Sequence, residues 1–248
     1  TPVGAERAGN KDGTIPKWEG GLPKGKLKLG DPRVDPYAAD KPLFSIDAGN
    51  ADKYKDKLSA GQLELIKTRK GYRMDVYASH RECGMPDFVV ENTKKNVAKA
   101  KLAADGWGLA DAVVPGLPFP IPANGTQAMW NAKMRYRGVG ILFPHINTAV
   151  SPRKGSTDWI IAGQELTFYY PWGVKGSNDL GKYPPVEYYV LFQYDSPPAL
   201  AGQALSVTFF LDKPGSETFY SFPSQRRVRC IPTCSYYSPQ ICLKNEST

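Results

Sequence analysis

The feature that most restricts the fold is a proline ribbon near the middle of the chain, Gly116-Leu-Pro-Phe-Pro-Ile-Pro122. Its three alternating prolines fix φ and remove three backbone donors, so neither a helix nor a central strand can pass through the segment. The apolar side chains of Leu117, Phe119 and Ile121 alternate with these prolines and need an apolar surface to lie on. We therefore predict a strap that buries both Phe119 and Ile121, rather than a linker.

The first hundred residues predict an extended arm followed by helices. Residues 1–42 are rich in Gly, Pro and Lys and have no sustained period, which is typical of an arm without regular structure. The elements predicted next are a helix over 50–58 with Asn50 as its cap, a helix over 59–71, a strand over 72–77 and a long helix over 87–103 behind Pro86. The second helix opens with the capping box Ser59-Ala-Gly-Gln62.

From Asn131 onward, segments rich in Tyr, Phe, Val and Ile replace the helical periods. The predicted strands cover 133–142, 158–170, 186–194, 205–211 and 218–222, and short Pro/Gly turns between them favour an antiparallel meander. Both faces of these strands carry apolar or aromatic side chains, so each face needs a cover. The fold class predicted is therefore α+β, with an antiparallel sheet covered by the N-terminal helices and the arm.

The sequence carries no convincing catalytic motif. It has no Gly-x-Ser-x-Gly elbow, phosphate-binding loop or dinucleotide fingerprint. His80 and Cys83 form the densest reactive cluster, but a solvated loop histidine is the commoner explanation. A carboxylate pair drawn from Asp158, Glu165 and Glu187 is a weaker alternative. We predict no catalytic residue, no enzymatic activity and no cofactor.

Cysteine spacing and charge argue against a metal ion and against nucleic acid as ligands. The four cysteines are Cys83, Cys230, Cys234 and Cys242. The two histidines lie far from the C-terminal three, so we predict no metal site, and the disulfide pairing stays open. The net charge is +8, but no aromatic-interleaved basic pattern accompanies it, so we expect solubility rather than nucleic-acid binding. The sequence contains no run of 18 apolar residues, so it predicts no membrane-spanning helix. A chain that starts at Thr1-Pro2 is expected after a signal peptide has been removed or the sequence has been trimmed.

Four segments occur in an order that resembles a known bacterial family. They are the opening residues 1–21, Asp40-Lys-Pro-Leu-Phe44, Tyr72-Arg-Met-Asp-Val-Tyr77 with His80-Arg81, and Phe119-Pro-Ile-Pro122. Together, from Thr1 to about Tyr236, they resemble the domain of unknown function 1329. That resemblance implies a periplasmic or outer-membrane-associated protein with a fold similar to the lipoprotein carriers LolA and LolB. In those carriers a curved antiparallel sheet, capped by helices, encloses an apolar cavity for acyl chains.

The resemblance also bears on domain organisation. Arg227-Val-Arg229 and Pro232 fit the family frame, whereas the cysteine-rich residues that follow depart from it. Family members continue further, so we expect this chain to lack their C-terminal part and to form an incomplete, open barrel. The predicted organisation is an arm over 1–42, a single α+β domain over 43–236 and an irregular tail over 237–248.

These expectations lead to two functional readings. The first is a non-enzymatic periplasmic or outer-membrane-associated carrier or adaptor that binds a lipid-like ligand. The alternative is a structural or interaction protein of the bacterial envelope. Such a protein would bind a partner, for example a membrane exporter, through an exposed apolar face of the sheet. The residues predicted to line the cavity or cover it are Phe119, Trp130, Leu166, Phe168, Val190, Phe192, Val207 and Phe209. The residues predicted to form a rim for a polar headgroup are Tyr72, Arg73, Tyr77 and Arg81.

Overall fold

The fold is described by a computed structural model that covers residues 1, 4–22, 31, 34–150, 152, 155–225 and 227–231. The chain divides into two compact units. The N-terminal unit is Glu6–Gly84, and the sheet unit is Thr1–Ala5 with Met85–Thr248. The boundary predicted at residue 42 lies inside the N-terminal unit. The predicted tail, 237–248, lies outside the described residues.

The N-terminal unit is a small α+β core. Its elements are strand β1 (Phe44–Ile46), a 3-10 helix (Ala51–Lys57), helix α1 (Ala60–Thr68) and strand β2 (Met74–Val76), which pairs antiparallel with β1. Ser59 and Gln62 form the predicted capping box, so the start of α1 is confirmed. Ile46, Ala51 and Ile66 make the buried core of this unit.

The sheet unit is built around one six-stranded antiparallel sheet. Before it come α2 (Asp87–Lys99), β3 (Lys101–Leu102), β4 (Leu109–Asp111), β5 (Val113–Val114) and α3 (Gly125–Lys133). The remaining strands are β6 (Gly140–Val150), β7 (Ile160–Tyr169), β8 (Asn178–Asp179), β9 (Val186–Ser196), β10 (Ala204–Phe210), β11 (Ser216–Phe222) and β12 (Arg227–Ile231), with 3-10 turns at Pro171–Gly173, Leu180–Lys182 and Pro223–Gln225. The large sheet has the order β12-β11-β10-β9-β7-β6, and short pairs join β3 to β4 and β5 to β8. The predicted α+β class is confirmed. Within the described residues the sheet is open, with β6 and β12 as its edges.

Helix α2 holds the chain before and inside the proline ribbon through buried polar side chains. The Asn96 amide donates to the carbonyls of Val113 and Leu117 at 2.9 and 3.0 Å, and its oxygen accepts from the Val113 N–H at 2.6 Å. The Thr93 hydroxyl accepts from the Leu117 N–H at 3.0 Å. At Gly116 a Cβ atom would lie 3.0 Å from the Cβ of Asn92, so a larger residue would push the ribbon and α2 apart by a few tenths of an ångström. The ribbon therefore satisfies its backbone on side chains instead of on a strand partner.

The ribbon buries only part of what the sequence predicts. Phe119 is 8% exposed and belongs to the core, whereas Ile121 is 81% exposed. Asn131 of α3 holds the backbone of Phe119, because its side chain accepts from the Phe119 N–H at 2.9 Å and donates to the Phe119 carbonyl at 2.5 Å. The strap prediction is confirmed for Phe119 and wrong for Ile121, whose side chain lies in solvent.

The main core lies at one end of the sheet. Its buried members are Leu109, Ala112, Val114, Phe119, Trp130, Met134, Tyr170, Trp172, Leu180 and Leu211. Phe168 of β7 and Tyr188 of β9 are half-buried and pack against it. The core therefore joins α3 and the ribbon to the end of the sheet that carries these two aromatic side chains.

Several predicted elements differ from the structure in their bounds, and one strand was missed. The strand predicted over 133–142 begins only at Gly140, because α3 runs to Lys133 and irregular residues follow it. The helix predicted to reach residue 103 ends at Lys99, since Leu102 is paired in β3 and packs on the core. Strand β12 was not predicted, because Arg227 and Arg229 interrupt its apolar pattern.

The ribbon provides a matched pair of substitutions. Phe119→Ala should lower the free energy of unfolding by about 3–5 kcal/mol, because it opens a cavity in the core. Ile121→Ala should change it by no more than about 0.5 kcal/mol, because the side chain is already in solvent. Urea denaturation of the two variants and the parent measures both values. Equal losses in the two variants would contradict the arrangement described here.

Candidate ligand-binding face of the sheet

Two rows of mainly apolar side chains cross all six strands on one face of the sheet, called here the candidate face. The first row is Ile141, Phe168, Val190, Val207, Thr218 and Ile231. The second row is Phe143, Leu166, Phe192, Leu205, Tyr220 and Arg229. Residues paired directly across antiparallel strands point to the same side, so the register alone brings each row together.

Six of the eight predicted ligand-binding residues lie on the candidate face. Five occupy the two rows, and Phe209 occupies the next row between Tyr188 and Ser216. Most of these side chains are half-buried, and Val207 is buried. Phe209 stacks on Tyr188 with ring centroids 4.6 Å apart. Burial, with the nearby Glu187 charge as a smaller cause, raises the pKa of Tyr188 to about 12, so its hydroxyl stays neutral.

The other two predicted residues, Phe119 and Trp130, are in the main core. Trp130 is buried, and its indole N–H donates to the Trp107 carbonyl at 2.6 Å. Both side chains belong to the cluster against which Phe168 packs. They therefore lie in the core beside Phe168 and not on the candidate face itself.

The opposite face of the sheet is exposed. Its central row is Leu142, Thr167, Leu191, Ser206, Phe219 and Cys230. Leu191 is 51% exposed, and Leu142, Phe219, Tyr169 and Val228 on the same face are exposed too. The two faces are both apolar, as the sequence predicts, but they differ in burial.

The predicted rim residues are engaged within the N-terminal unit. Arg73 contacts Asp75 with two N–O distances of 3.2 Å, and Tyr72 and Tyr77 are exposed. Arg81 donates to four carbonyl oxygens of the arm, those of Glu6, Arg7, Ala8 and Pro16, at 2.5–3.3 Å. These hydrogen bonds, called here the Arg81 clasp, hold the arm against the rest of the unit. Sequence reasoning missed them because the bonded residues are more than sixty positions apart in the chain.

His80 lies beside Asp40 and Tyr37 rather than beside a thiol partner. Its Nε2 is 2.6 Å from the Asp40 carboxylate, and its ring stacks on Tyr37 with centroids 3.7 Å apart. An open cleft of about 200 Å³ next to this stack is lined by Lys17, Leu22 and Glu82, among others. Cys83 is exposed, and its carbonyl accepts from the Trp18 indole at 2.9 Å.

A buried ion pair lies against the main core. Glu187 is 4% exposed, and Lys133 Nζ lies 2.7 Å from its carboxylate. The same ammonium sits 4.8 Å from the ring centroid of Trp130 and 5.3 Å from that of Trp107. Burial raises the pKa of Glu187 although Lys133 opposes the change. Glu187 was weighed from sequence only as a carboxylate partner, and no sequence signal pairs it with Lys133.

A second open cleft, of about 420 Å³, lies beside the end of β9 and the turn that follows it. Its lining residues are Pro144, Glu165, Gln193, Tyr194, Asp195, Ala201 and Gly202. His145 Nδ1 is 3.0 Å from the Asp195 carboxylate, which also accepts from Ser196 Oγ at 2.9 Å. Asp158 is exposed, and Glu165 lies on the opposite face from the candidate rows.

Within the part of the chain that the structure describes, no three His, Cys, Asp or Glu side chains are grouped as metal ligands. Cys234 and Cys242 lie outside that part, whereas Cys83 and Cys230 are free thiols.

Comparisons with known proteins agree with the resemblance seen in the sequence. The family described as "Protein of unknown function (DUF1329)" matches residues 45–248. The chain belongs to this family. It is also 37% identical over 245 residues to an uncharacterized protein of Pseudomonas aeruginosa, an alignment that covers 96% of this chain and 52% of that protein.

The chain therefore spans about half the length of this relative. No solved structure matches it. Among the described helices none is both long and apolar enough to cross a bilayer.

The Glu187 pair predicts a pH-dependent difference in stability. Because the folded protein holds this proton more tightly than the unfolded chain, the contribution of Glu187 is fully present below its ordinary pKa of 4.5 and is lost as pH rises through the raised pKa. Glu187→Gln cannot ionise, so the variant should gain stability relative to the parent between about pH 4 and about pH 7.5. Urea denaturation at both pH values measures the gain. Glu165→Gln, on the exposed face, serves as the control, and a relative loss by the Glu187 variant at the higher pH would contradict the prediction.

The Arg81 clasp predicts a local change in backbone protection. Lysine keeps the charge but has no planar fork, so Arg81→Lys should lose most of the four carbonyl contacts. Amide hydrogen exchange over residues 7–18 should then be faster, including at the Trp18 N–H, which donates to the Arg7 carbonyl. Arg73→Lys should leave this exchange unchanged. Parent-like rates in the Arg81 variant would show that other contacts hold the arm.

Proposed function

We propose that this protein is a non-enzymatic carrier or adaptor of the bacterial envelope that binds a lipid-like hydrophobic molecule on the candidate face. The observation that supports the proposal best is the pair of rows that crosses all six strands. Ligand sites are typically apolar surfaces with a few polar groups, and these rows have that character. The envelope location rests on the family resemblance.

The dimensions of the rows suit a long hydrocarbon chain. Neighbouring strands lie about 4.8 Å apart, so five steps from β6 to β12 span roughly 24 Å. A row of this length runs perpendicular to the strands and offers a continuous line of apolar contacts. An extended acyl chain can follow it from edge to edge.

Partition into an apolar site supplies enough free energy without any covalent step. Each buried methylene contributes about 0.8 kcal/mol, so a chain of about sixteen carbons contributes roughly 13 kcal/mol. Association costs at least about 4 kcal/mol. Micromolar binding needs about 8 kcal/mol, which lies within the difference.

A second candidate function is an interaction protein that uses the opposite face. The observation that favours it is the exposure of Leu142, Leu191 and Phe219 in one row, because soluble monomers rarely leave large apolar patches uncovered. In this reading the opposite face meets a protein partner of the envelope. The two functions depend on different faces of the same strands, so neighbouring residues can separate them.

The test uses Phe192 and Leu191, which are adjacent in β9 and point to opposite faces. Phe192→Gln places an amide in the second row and should weaken binding of a fluorescent fatty acid about tenfold or more. Leu191→Gln should leave that affinity within about twofold of the parent, because exposed positions contribute little. Fluorescence titration measures the dissociation constants, and circular dichroism checks that each variant is folded.

The same variants test the alternative. Equal affinities in the parent and both variants, or no saturable binding by the folded parent, would remove the carrier function. If the parent instead self-associates or captures a purified envelope partner, and Leu191→Gln abolishes this, the opposite face is the functional one. Sedimentation velocity at several protein concentrations provides the measurement.

A further inference from the structure

Two hydroxyl groups on β11 are buried and have no hydrogen-bond partner among the described residues. The side-chain oxygens of Ser216 and Thr218 are both buried, and the structure gives neither of them a partner among the residues that it describes. Thr218 as a whole is 0% exposed. An unpaired buried hydroxyl costs free energy, and a valine of almost the same shape would avoid that cost. A polar residue at this position therefore needs an explanation.

The hydroxyl of the other fully buried threonine, Thr93, does have hydrogen-bond partners. Thr93 is also 0% exposed, but its hydroxyl donates to the Val89 carbonyl at 2.7 Å and accepts from the Leu117 N–H at 3.0 Å. Thr148 on β6 is likewise paired, with its hydroxyl 3.3 Å from the Ala162 carbonyl. Of these three threonines, only Thr218 has a hydroxyl without a partner among the described residues.

The register puts both hydroxyl residues on the candidate face. Thr218 pairs with Val207 on one side and Ile231 on the other, so it belongs to the first apolar row. Ser216 pairs with Phe209, the next position along that face. The two residues are separated by one residue on the same strand, so their side chains point the same way. They are polar positions within a mainly apolar surface, which also carries Tyr220 and Arg229 in its second row.

We propose that these hydroxyls receive the polar end of the ligand, and that the ligand is an acyl compound whose ester or carboxyl oxygen accepts hydrogen bonds from Thr218 and Ser216. This inference rests on the proposed function, because it concerns the same face. The hydrocarbon chain then runs from β11 over β10, β9 and β7 to β6. Four strand spacings of about 4.8 Å give roughly 19 Å for that path, which is about the length of a long-chain acyl group.

The burial of Thr218 and Ser216 indicates how the polar end of the ligand reaches the two hydroxyls. Thr218 is fully covered, so the acyl oxygen reaches it only by displacing side chains that pack over it. Ser216 is half-buried as a residue and lies at the start of β11, so it is nearer to solvent than Thr218 although its hydroxyl oxygen is buried. A hydrogen bond gained by a hydroxyl that is unpaired and already out of water meets no competition from solvent. The site therefore discriminates an acyl compound from a bare hydrocarbon.

The experiment is a double-mutant cycle between protein and ligand. The ligands are hexadecane and methyl hexadecanoate, which differ by the ester group, and displacement of a bound anilinonaphthalene sulfonate probe measures their affinities. The parent should bind the ester about fivefold more tightly than the alkane. Thr218→Val should remove this preference, leave the alkane affinity unchanged and leave the melting temperature equal to or above that of the parent.

The control is Thr208→Val, the same substitution on the neighbouring strand β10 but on the opposite face. It should keep the fivefold preference of the parent. Ser216→Ala is the second variant, and it should reduce the preference even if the Thr218 variant fails to fold.

The outcomes separate the two proposals. If the parent binds both ligands equally, or if Thr218→Val and Ser216→Ala keep the preference for the ester, the hydroxyls are not the acyl contact and this inference is overturned while the apolar site stands. If neither ligand displaces the probe from the folded parent, the proposed function itself fails, and this inference fails with it.

Discussion

The arrangement of the sheet unit depends on the hydrogen bonds between α2 and the residues around the proline ribbon. A segment with alternating prolines cannot join a sheet, yet residues 112–119 are all buried, so their backbone groups need partners. Asn92, Thr93 and Asn96 supply these partners from one side of a helix. The ribbon is then fixed where Phe119 can enter the main core, and the core in turn closes one end of the sheet. Polar side chains, rather than apolar ones, thus set the position of an apolar core.

Much of the sheet could be predicted from the sequence because antiparallel strands repeat every two residues. The alternation in β9 and β10 assigns Phe192 and Val207 to one face and Leu191 to the other, and the register confirms that assignment. Periodicity does not reveal which face is covered, since both faces of β9 are apolar. Nor does it find β12, where arginines occupy alternate positions along the strand. Helix α2 was predicted with its correct first residue, but its apolar pattern did not reveal which side is buried, because that side is mainly polar and Val97 is exposed.

The parts of the candidate site that sequence reasoning missed are contacts between residues far apart in the chain. Lys133 and Glu187 meet across α3 and β9, and nothing local to either residue distinguishes them from solvated charges. Arg81 has the residue type expected for a headgroup rim, but its guanidinium is taken up by main-chain carbonyls of the arm. Unpaired hydroxyls are harder still to foresee, because Thr218 is a typical strand residue and only the folded structure reveals what surrounds it. Residue type and spacing can therefore suggest an apolar face, but the polar groups that give it selectivity become visible only in three dimensions.

The outer strand β6 has a consequence for how such a sheet stays dispersed in solution. A free edge of eleven residues would offer another chain a continuous row of amide and carbonyl groups, and the apolar faces beside it would favour fibre growth. Pro144 stands near the middle of this strand and has no N–H to donate, and the register with β7 shifts between Phe143 and Ile146. An incoming strand can therefore pair only over short stretches on either side of this break. The irregularity lets the protein display broad apolar surfaces without acting as a template for its own aggregation.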